Sequence, residues 1–339
     1  MSRWLYRKRV TLPAIPGDAG PLVDVPFPIK IPVDNDIGKV GQADGGDLRV
    51  TDASGVTQLP FDRAHYICAG GVAFGLLFAK LPVYPSAGTH AYLYFGNDDA
   101  EDGQDADGTW DDYLGVYHFV ETGAPATLAD STANENDLTN NGTDYSDAGI
   151  LLQARDFVAA NTDSLTVTQG DQTTFTLSCW IKFDDVTADR AVFSNSGSPS
   201  WQVWMDNNGD SDRIGFGNPA GAVYGGSIAV DTWYYVTMVC DAVAETVDIW
   251  LDDTKIIDGH DVSGGVPGLE DVSFGKYSTS KYHDGLISEC RITTETRSGT
   301  WIALQRALLT DPPALGALER VPAVAHGPGP WPGQILYGS

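Results

Sequence analysis

Between Asp231 and Arg291 the chain alternates. In the run from Trp233 to Asp241, Val236, Met238 and Cys240 fall on one side. After the turn from Asp241 to Glu245, the next run places Val247, Ile249 and Leu251 on one side as well. A period of two belongs to a strand with one buried face, and two such runs joined by a short turn make an antiparallel hairpin. A helix repeats its buried face every three or four residues, so this stretch specifies a sheet.

The same alternation recurs at Phe175 to Phe183. Phe175, Leu177, Cys179, Ile181 and Phe183 point one way, and Thr176, Ser178, Trp180 and Lys182 the other. An outward Trp180 needs a cover, from a loop or from another domain. Strands are further predicted at Asp163 to Val167, Arg190 to Ser194, Gln202 to Asp206, Arg213 to Gly217 and Val223 to Ala229. In the first third they are predicted at Trp4 to Leu12, Phe27 to Val33, Asp47 to Thr51, Gly71 to Leu81 and His90 to Gly96, divided by turn clusters such as Asp44-Gly45-Gly46-Asp47.

A chain of 339 residues has room for two such cores. The expected fold is all-β, with two antiparallel β-sandwiches over 1–97 and 113–310. The acidic stretch 98–112, DDAEDGQDADGTWDD, reads as a solvated linker, or as a run of aspartates able to hold a cation, though without EF-hand spacing. One short helix is predicted after Ser298, which can cap it; Trp301, Ile302, Leu304, Gln305, Leu308 and Leu309 follow at helical spacing, and Pro312-Pro313 stops it. The tail 311–339 is rich in proline and glycine yet carries Trp331, Ile335, Leu336 and Tyr337. It is expected to dock as an aromatic anchor on a neighbouring subunit or partner.

Two resemblances rest on residues in order. The run from Trp233 through the strand ending Asp252-Asp253 to Tyr282-His283-Asp284-Gly285-Leu286-Ile287-Ser288-Glu289-Cys290-Arg291-Ile292 resembles the end of a laminin G-like or concanavalin A-like jelly roll. Tyr117-His118-Phe119, followed by Asp130-Ser131-Thr132-Ala133-Asn134-Glu135-Asn136-Asp137, is similar to the opening of the same jelly rolls. The blocks Trp4 to Thr11, Asp47 to Asp52, Leu59 to Asp62 and Tyr92 to Asn97 resemble an uncharacterised β-sandwich family that stands ahead of such jelly rolls in bacterial surface and phage proteins. The second sandwich is thus expected to be a jelly roll of this type.

Composition narrows the function. A net charge of -26 repels nucleic acid. The excess aspartate is open to three readings: solvated turns, adaptation to salty surroundings, and calcium sites. No apolar run approaches the roughly 20 residues of a membrane-spanning helix, and the start MSRWLYRKRV lacks the apolar core of a secretory signal, so synthesis and folding in a cytoplasm are expected. Cys68, Cys179, Cys240 and Cys290 form no C-x-x-C pair and read as free thiols.

Catalytic patterns are missing. There is no E-x-D-x-(x)-E motif, no G-x-S-x-G and no phosphate loop. Glu135 and Asp137 stand two apart, as paired glycosidase carboxylates do, but in an Asn-rich loop without a third acid. By similarity to calcium-binding jelly rolls, the resemblance implies a calcium site built from Asp130, Asn134, Asn136 and Glu289; Ser288 departs from that pattern, which has an aspartate there. Trp201, Trp204, Asn207, Tyr277 and Tyr282 are candidates for binding a sugar, whose apolar face stacks on aromatics while its hydroxyls take polar groups.

The reading that joins these features is a non-enzymatic structural protein of a virion, a phage tail, fibre or capsid-decorating component, serving assembly and adhesion to a host or glycan. Its expected partners are other virion proteins or copies of itself, as a homo-oligomer, and a cell-surface glycan, with no nucleic acid and no membrane insertion. A virion protein is made in the host cytoplasm and needs no export, although the domain pair belongs to exposed surfaces; the alternative location is a cell surface or the extracellular space. A stand-alone lectin, and behind it a glycoside hydrolase, are the alternative functions.

Overall fold

The computed structural model describes residues 4–170, 172–197, 200–207, 212–219, 221–277 and 280–321. The aromatic anchor expected in the tail lies outside these residues. The chain divides into two compact units, Met1–Thr109 with Ala307–Ser339, and Trp110–Arg306.

The first unit holds two antiparallel sheets. One runs Leu315–Arg320, Tyr6–Leu12, Thr89–Phe95, Arg49–Thr51, Gln58–Leu59, and the other Leu22–Asp34, Val72–Tyr84, Phe61–Ala69. Their alternating residues, including Val10, Phe27, Ile29, Leu77, Leu93 and Phe95, are fully buried. Asp34 ends a strand and caps the short helix Asn35–Val40, its Oδ1 accepting from the Asp36 and Ile37 amides, while Lys8 Nζ donates to its Oδ2 at 2.6 Å.

Two boundaries differ from the sequence expectation. Most of the acidic stretch is bonded into the first unit instead of lying free in solvent. Gln42 Nε2 donates to the carbonyls of Asn97, Asp98 and Ala100, Arg49 Nη2 to that of Glu101, and Arg63 pairs with Asp102 at 2.8 Å. The start of the expected tail, Leu315–Arg320, is a strand, and it pairs with Tyr6–Leu12 from the opposite end of the chain. Such long-range pairing leaves little local pattern to read.

The second unit is a sandwich of two eight-stranded antiparallel sheets. The first sheet runs Gly221–Gly225, Arg213–Asn218, Trp201–Asp206, Arg190–Asn195, Asp271–Phe274, Ser164–Thr168, Leu138–Asn141, Thr127–Leu128. The second runs Asp144–Ser146, Ala154–Phe157, Gly285–Thr293, Phe175–Phe183, Trp233–Asp241, Thr246–Leu251, Thr254–Asp261, with Tyr113–Tyr117 also on Gly285–Thr293. The hairpin of Trp233–Asp241 and Thr246–Leu251 pairs Val236 with Leu251, Met238 with Ile249 and Cys240 with Val247. Those six join Phe175, Leu177, Cys179, Ile181 and Phe183 in one core with Phe193, Trp201, Val203 and Phe216 of the facing sheet. Trp180 does point away from this core and is covered by Tyr235, ring centroids 5.2 Å apart. The helix forms at Gly299–Thr310, with Ser298 Oγ accepting from the Trp301 amide. All four cysteines are free, Cys68 half-buried and the others buried. Among the described residues no helix is long and apolar enough to cross a membrane.

Candidate functional site

The outward side chains of the first sheet of the jelly roll line up across its strands. The register sets Thr139 opposite Thr166, Thr166 opposite Ser273, Ser273 opposite Ser194, and Ser194 opposite Gln202. Inward neighbours such as Leu165, Phe193, Val203 and Phe274 fill the core, so the period of two delivers a transverse row of small hydroxyls to the other face. Above this row lies a groove of about 920 Å³, lined by Thr139, Thr166, Thr168, Ser194, Ser196, Ser200 and Ser273, with Glu135, Asn136, Asp137, Asp271, Lys276 and Tyr277 around them.

Buried bonds shape the walls. Asn195 Oδ1 accepts from the Gly197 and Asp271 amides, and its Nδ2 donates to the Gly268 carbonyl at 2.7 Å. Trp201 Nε1 reaches the same carbonyl, also at 2.7 Å. Ser194 Oγ donates to the Lys276 carbonyl at 2.6 Å, anchoring the segment that presents Lys276 and Tyr277. Thr168 Oγ1 donates to Asp271 Oδ1 at 3.1 Å.

Of the aromatic residues expected to bind sugar, Tyr277 lines this groove. Trp201 does not: it is 1 % exposed, packed against Phe175 and Phe193, and is a core residue because it falls on the inward phase of its strand. Trp204 is on the outward phase but is covered, with Tyr224 edge-on at 5.4 Å and Lys281 Nζ 5.1 Å from its ring centroid. It has room to lie along the sheet because Gly215 and Gly217 pass beneath it; a Cβ on Gly217 would come within 3.0 Å of the indole. Asn207 is half-buried and donates from Nδ2 to the Val186 carbonyl at 2.6 Å. Tyr282 is half-buried in the hairpin that pairs it with Lys276.

The residues expected to hold calcium divide. Asp130, Asn134 and Asn136 share one turn, but Asp130 is already filled: Oδ1 accepts from the Val116 and Thr132 amides, Oδ2 from Thr132 Oγ1 and the Asn136 amide. Four donors occupy the lone-pair directions of one carboxylate. Burial nevertheless raises the Asp130 carboxyl above the ordinary carboxylate range, against the opposing pull of those bonds. Asn134 Nδ2 donates to the Tyr113 carbonyl, and the Asn136 carbonyl accepts from Tyr117 Oη. These bonds lie along one edge of Tyr113–Tyr117, whereas Glu289 belongs to the strand paired with the other edge. There Glu289 contacts His118 and Arg291. The donor set therefore does not fit a calcium ion: its acidic members are separated by a strand and engaged elsewhere. Among the described residues no cluster of three or more His, Cys, Asp or Glu side chains is arranged to hold a metal.

The hydroxyl floor, Asp271 and Lys276 escaped sequence reading because Ser and Thr in strands are unremarkable singly. The available signal was their phase: Ser164, Thr166 and Thr168 alternate with Leu165 and Val167, and Asp271 and Ser273 with Val272 and Phe274.

Two stacked antiparallel sheets make the second unit a jelly roll, with a polar groove across one of them. Residues 154–303 match the family described as the concanavalin A-like lectin/glucanases superfamily, so the second unit is a concanavalin A-like, laminin G-type domain. A comparison with curated proteins gives no match. Among solved structures, the chain is similar to domain 4 of AbnA, an extracellular arabinanase of Geobacillus stearothermophilus in complex with arabinotriose, at 16% identity and TM-score 0.45, covering 56% of this chain and 96% of that one. It is similar to the binding domain of botulinum neurotoxin DC in complex with rat synaptotagmin II, at 13% identity and TM-score 0.46, covering 59% and 52%. It is also similar to a Trypanosoma rangeli sialidase, at 13% identity and TM-score 0.47, covering 74% and 42%. The chain thus spans about half the length of the toxin domain and less than half of the sialidase.

Proposed function

We propose that this protein is a non-enzymatic glycan-binding component of an exposed surface, and that the groove over the hydroxyl row is where the glycan lies. The observation that carries the reading is the row itself. A hydroxyl both donates and accepts, so Thr139, Thr166 and Ser273 can meet sugar hydroxyls of either sense, and Tyr277 adds a ring for the apolar face of a sugar. A groove of about 920 Å³ is large enough for several sugar units.

Within this reading the surface is that of a phage particle, as a tail, fibre or capsid-decorating component assembled with other virion proteins or copies of itself. The resemblance of the first 112 residues to a family found ahead of such jelly rolls in phage and bacterial surface proteins supports this. Binding is tested by calorimetry of the purified protein against a glycan panel. A complete absence of binding overturns the glycan reading, and failure to co-sediment with particles of the phage that encodes it overturns the virion reading.

One observation favours a second reading. Glu135, Asp137 and Asp271 all line the groove, as acids of a glycoside hydrolase would. Turnover of a polysaccharide, abolished by Glu135→Gln, Asp137→Asn or Asp271→Asn, would replace binding with hydrolysis.

A further inference from the structure

The groove is uneven in charge. Its lining carries the carboxylates Glu135, Asp137 and Asp271 against the single ammonium of Lys276, and its floor of hydroxyls is neutral. Two of the acids are held in place by the fold. Asp137 Oδ1 accepts from the Asp130 amide at 3.0 Å and Asp271 Oδ1 from Thr168 Oγ1 at 3.1 Å, and both residues line the groove. The turn fixes Glu135 at φ 53°, a left-handed conformation, with its amide donating to the Thr132 carbonyl and its carbonyl accepting from the Asp137 amide.

We infer that the groove selects a hydroxyl-rich glycan free of acidic substituents, uncharged or amine-bearing, and rejects chains carrying uronate, sialate or sulfate groups. This rests on the reading of the groove as a glycan site. A concave wall of one predominant sign focuses its field inward, and a ligand charge in the groove stands well within the screening length of about 8 Å at physiological salt. The net charge of -26 for the whole chain acts in the same direction, but at longer range it is screened. The selectivity therefore belongs to these few side chains and follows their removal.

The test is calorimetry on the full chain with three sets of oligosaccharides of matched length: neutral gluco- and xylo-oligosaccharides, deacetylated chitosan oligomers, and oligogalacturonate with sialyllactose and hyaluronan fragments. The acidic set should bind at least about tenfold more weakly than the better of the other two. High salt and the double variant Glu135→Gln/Asp271→Asn should narrow that gap, read as the ratio of acidic to neutral affinity within each protein. The single variant Glu135→Gln, at an exposed position, gives the same readout in smaller measure if the double variant unfolds. Acidic glycans binding as tightly as neutral ones at low salt would overturn the selectivity and leave the glycan site standing. Silence across all three sets would overturn the site itself, and the selectivity with it.

Discussion

His118 Nδ1 lies 3.0 Å from Glu289 Oε2, in an arrangement that excludes solvent from both residues. Arg291 Nη2 reaches the same oxygen at 3.2 Å, and Arg291 Nη1 donates to Gln305 Oε1. The Trp110 ring packs over the group, 5.7 Å from His118 and 5.2 Å from Arg291. Two residues apart on one strand, Glu289 and Arg291 share a face. A β-bulge lies beside them: Ser178 faces Arg291 and Trp180 faces Ser288, which leaves Glu289 and Cys290 opposite Cys179, with Glu289 at φ 52°. The extra residue shifts the phase so that Ile287 enters the core that Cys290 and Ile292 also fill.

Glu289 should matter most at neutral pH. Burial alone would raise its carboxyl, but the charges of His118 and Arg291 together outweigh it and hold the group below the ordinary carboxylate range. A depressed folded value means that the stabilisation is complete above the ordinary range and is lost as pH falls through the folded value. Glu289→Gln leaves Arg291 buried without its counter-charge, a loss of about 3 kcal/mol at pH 7. Urea titrations of both proteins should show that deficit holding steady above about pH 5 and shrinking as the medium becomes more acid.

His283 supplies a second acid-sensitive element. It is fully buried between Phe157 and Phe183, with Nδ1 donating to the Ala191 carbonyl at 3.2 Å. Burial lowers its imidazole to about 4. The unfolded chain therefore takes up the proton first, and stability falls from about pH 6.5 to pH 4 by roughly 3 kcal/mol from this residue alone. His283→Leu should remove that part of the acid limb. A variant that follows the parent's pH dependence across this interval would show that His283 does not titrate on unfolding.

The main hairpin, the inward phase of Phe175–Phe183 and the capped helix were legible because each is set by local period or local capping. The bulge at Glu289 was not. A pure alternation gives no sign of one extra residue, and that residue is what lets Ile287 and Cys290, three apart, both enter the core. Trp201 and Trp204 were both offered as sugar contacts, yet a single step of phase sends one into the core and leaves the other beneath Lys281. The groove depends on register across four strands far apart in the chain, Leu138–Asn141, Ser164–Thr168, Asp271–Phe274 and Arg190–Asn195, and one strand read alone does not contain it.

Asp130 should act as an organiser of its turn. Asp130→Ala removes four acceptor contacts and leaves the Val116, Thr132 and Asn136 amides to find other partners, a destabilisation of about 2 kcal/mol. The melting temperature of the parent protein should be the same in chelator and in millimolar calcium. A rise with calcium that disappears in Asp130→Ala would establish the ion at this turn after all.

The opposed roles of Trp201 and Thr166 separate core from groove. Trp201→Ala empties a packed site beside Phe175 and Phe193 and removes one of the two donors to the Gly268 carbonyl, for a loss of about 3–5 kcal/mol in stability. Thr166→Tyr changes an outward, half-exposed side chain at the middle of the hydroxyl row, where a bulky ring extends into the groove and fills the space above the floor. Its stability should stay within about 0.5 kcal/mol of the parent, since no buried contact is lost. Its affinity for whichever glycan the parent binds should fall at least tenfold, about 1.4 kcal/mol. Calorimetry and chemical denaturation on the two variants give four readings. A Thr166→Tyr protein that is folded and binds undiminished would move the site away from this sheet.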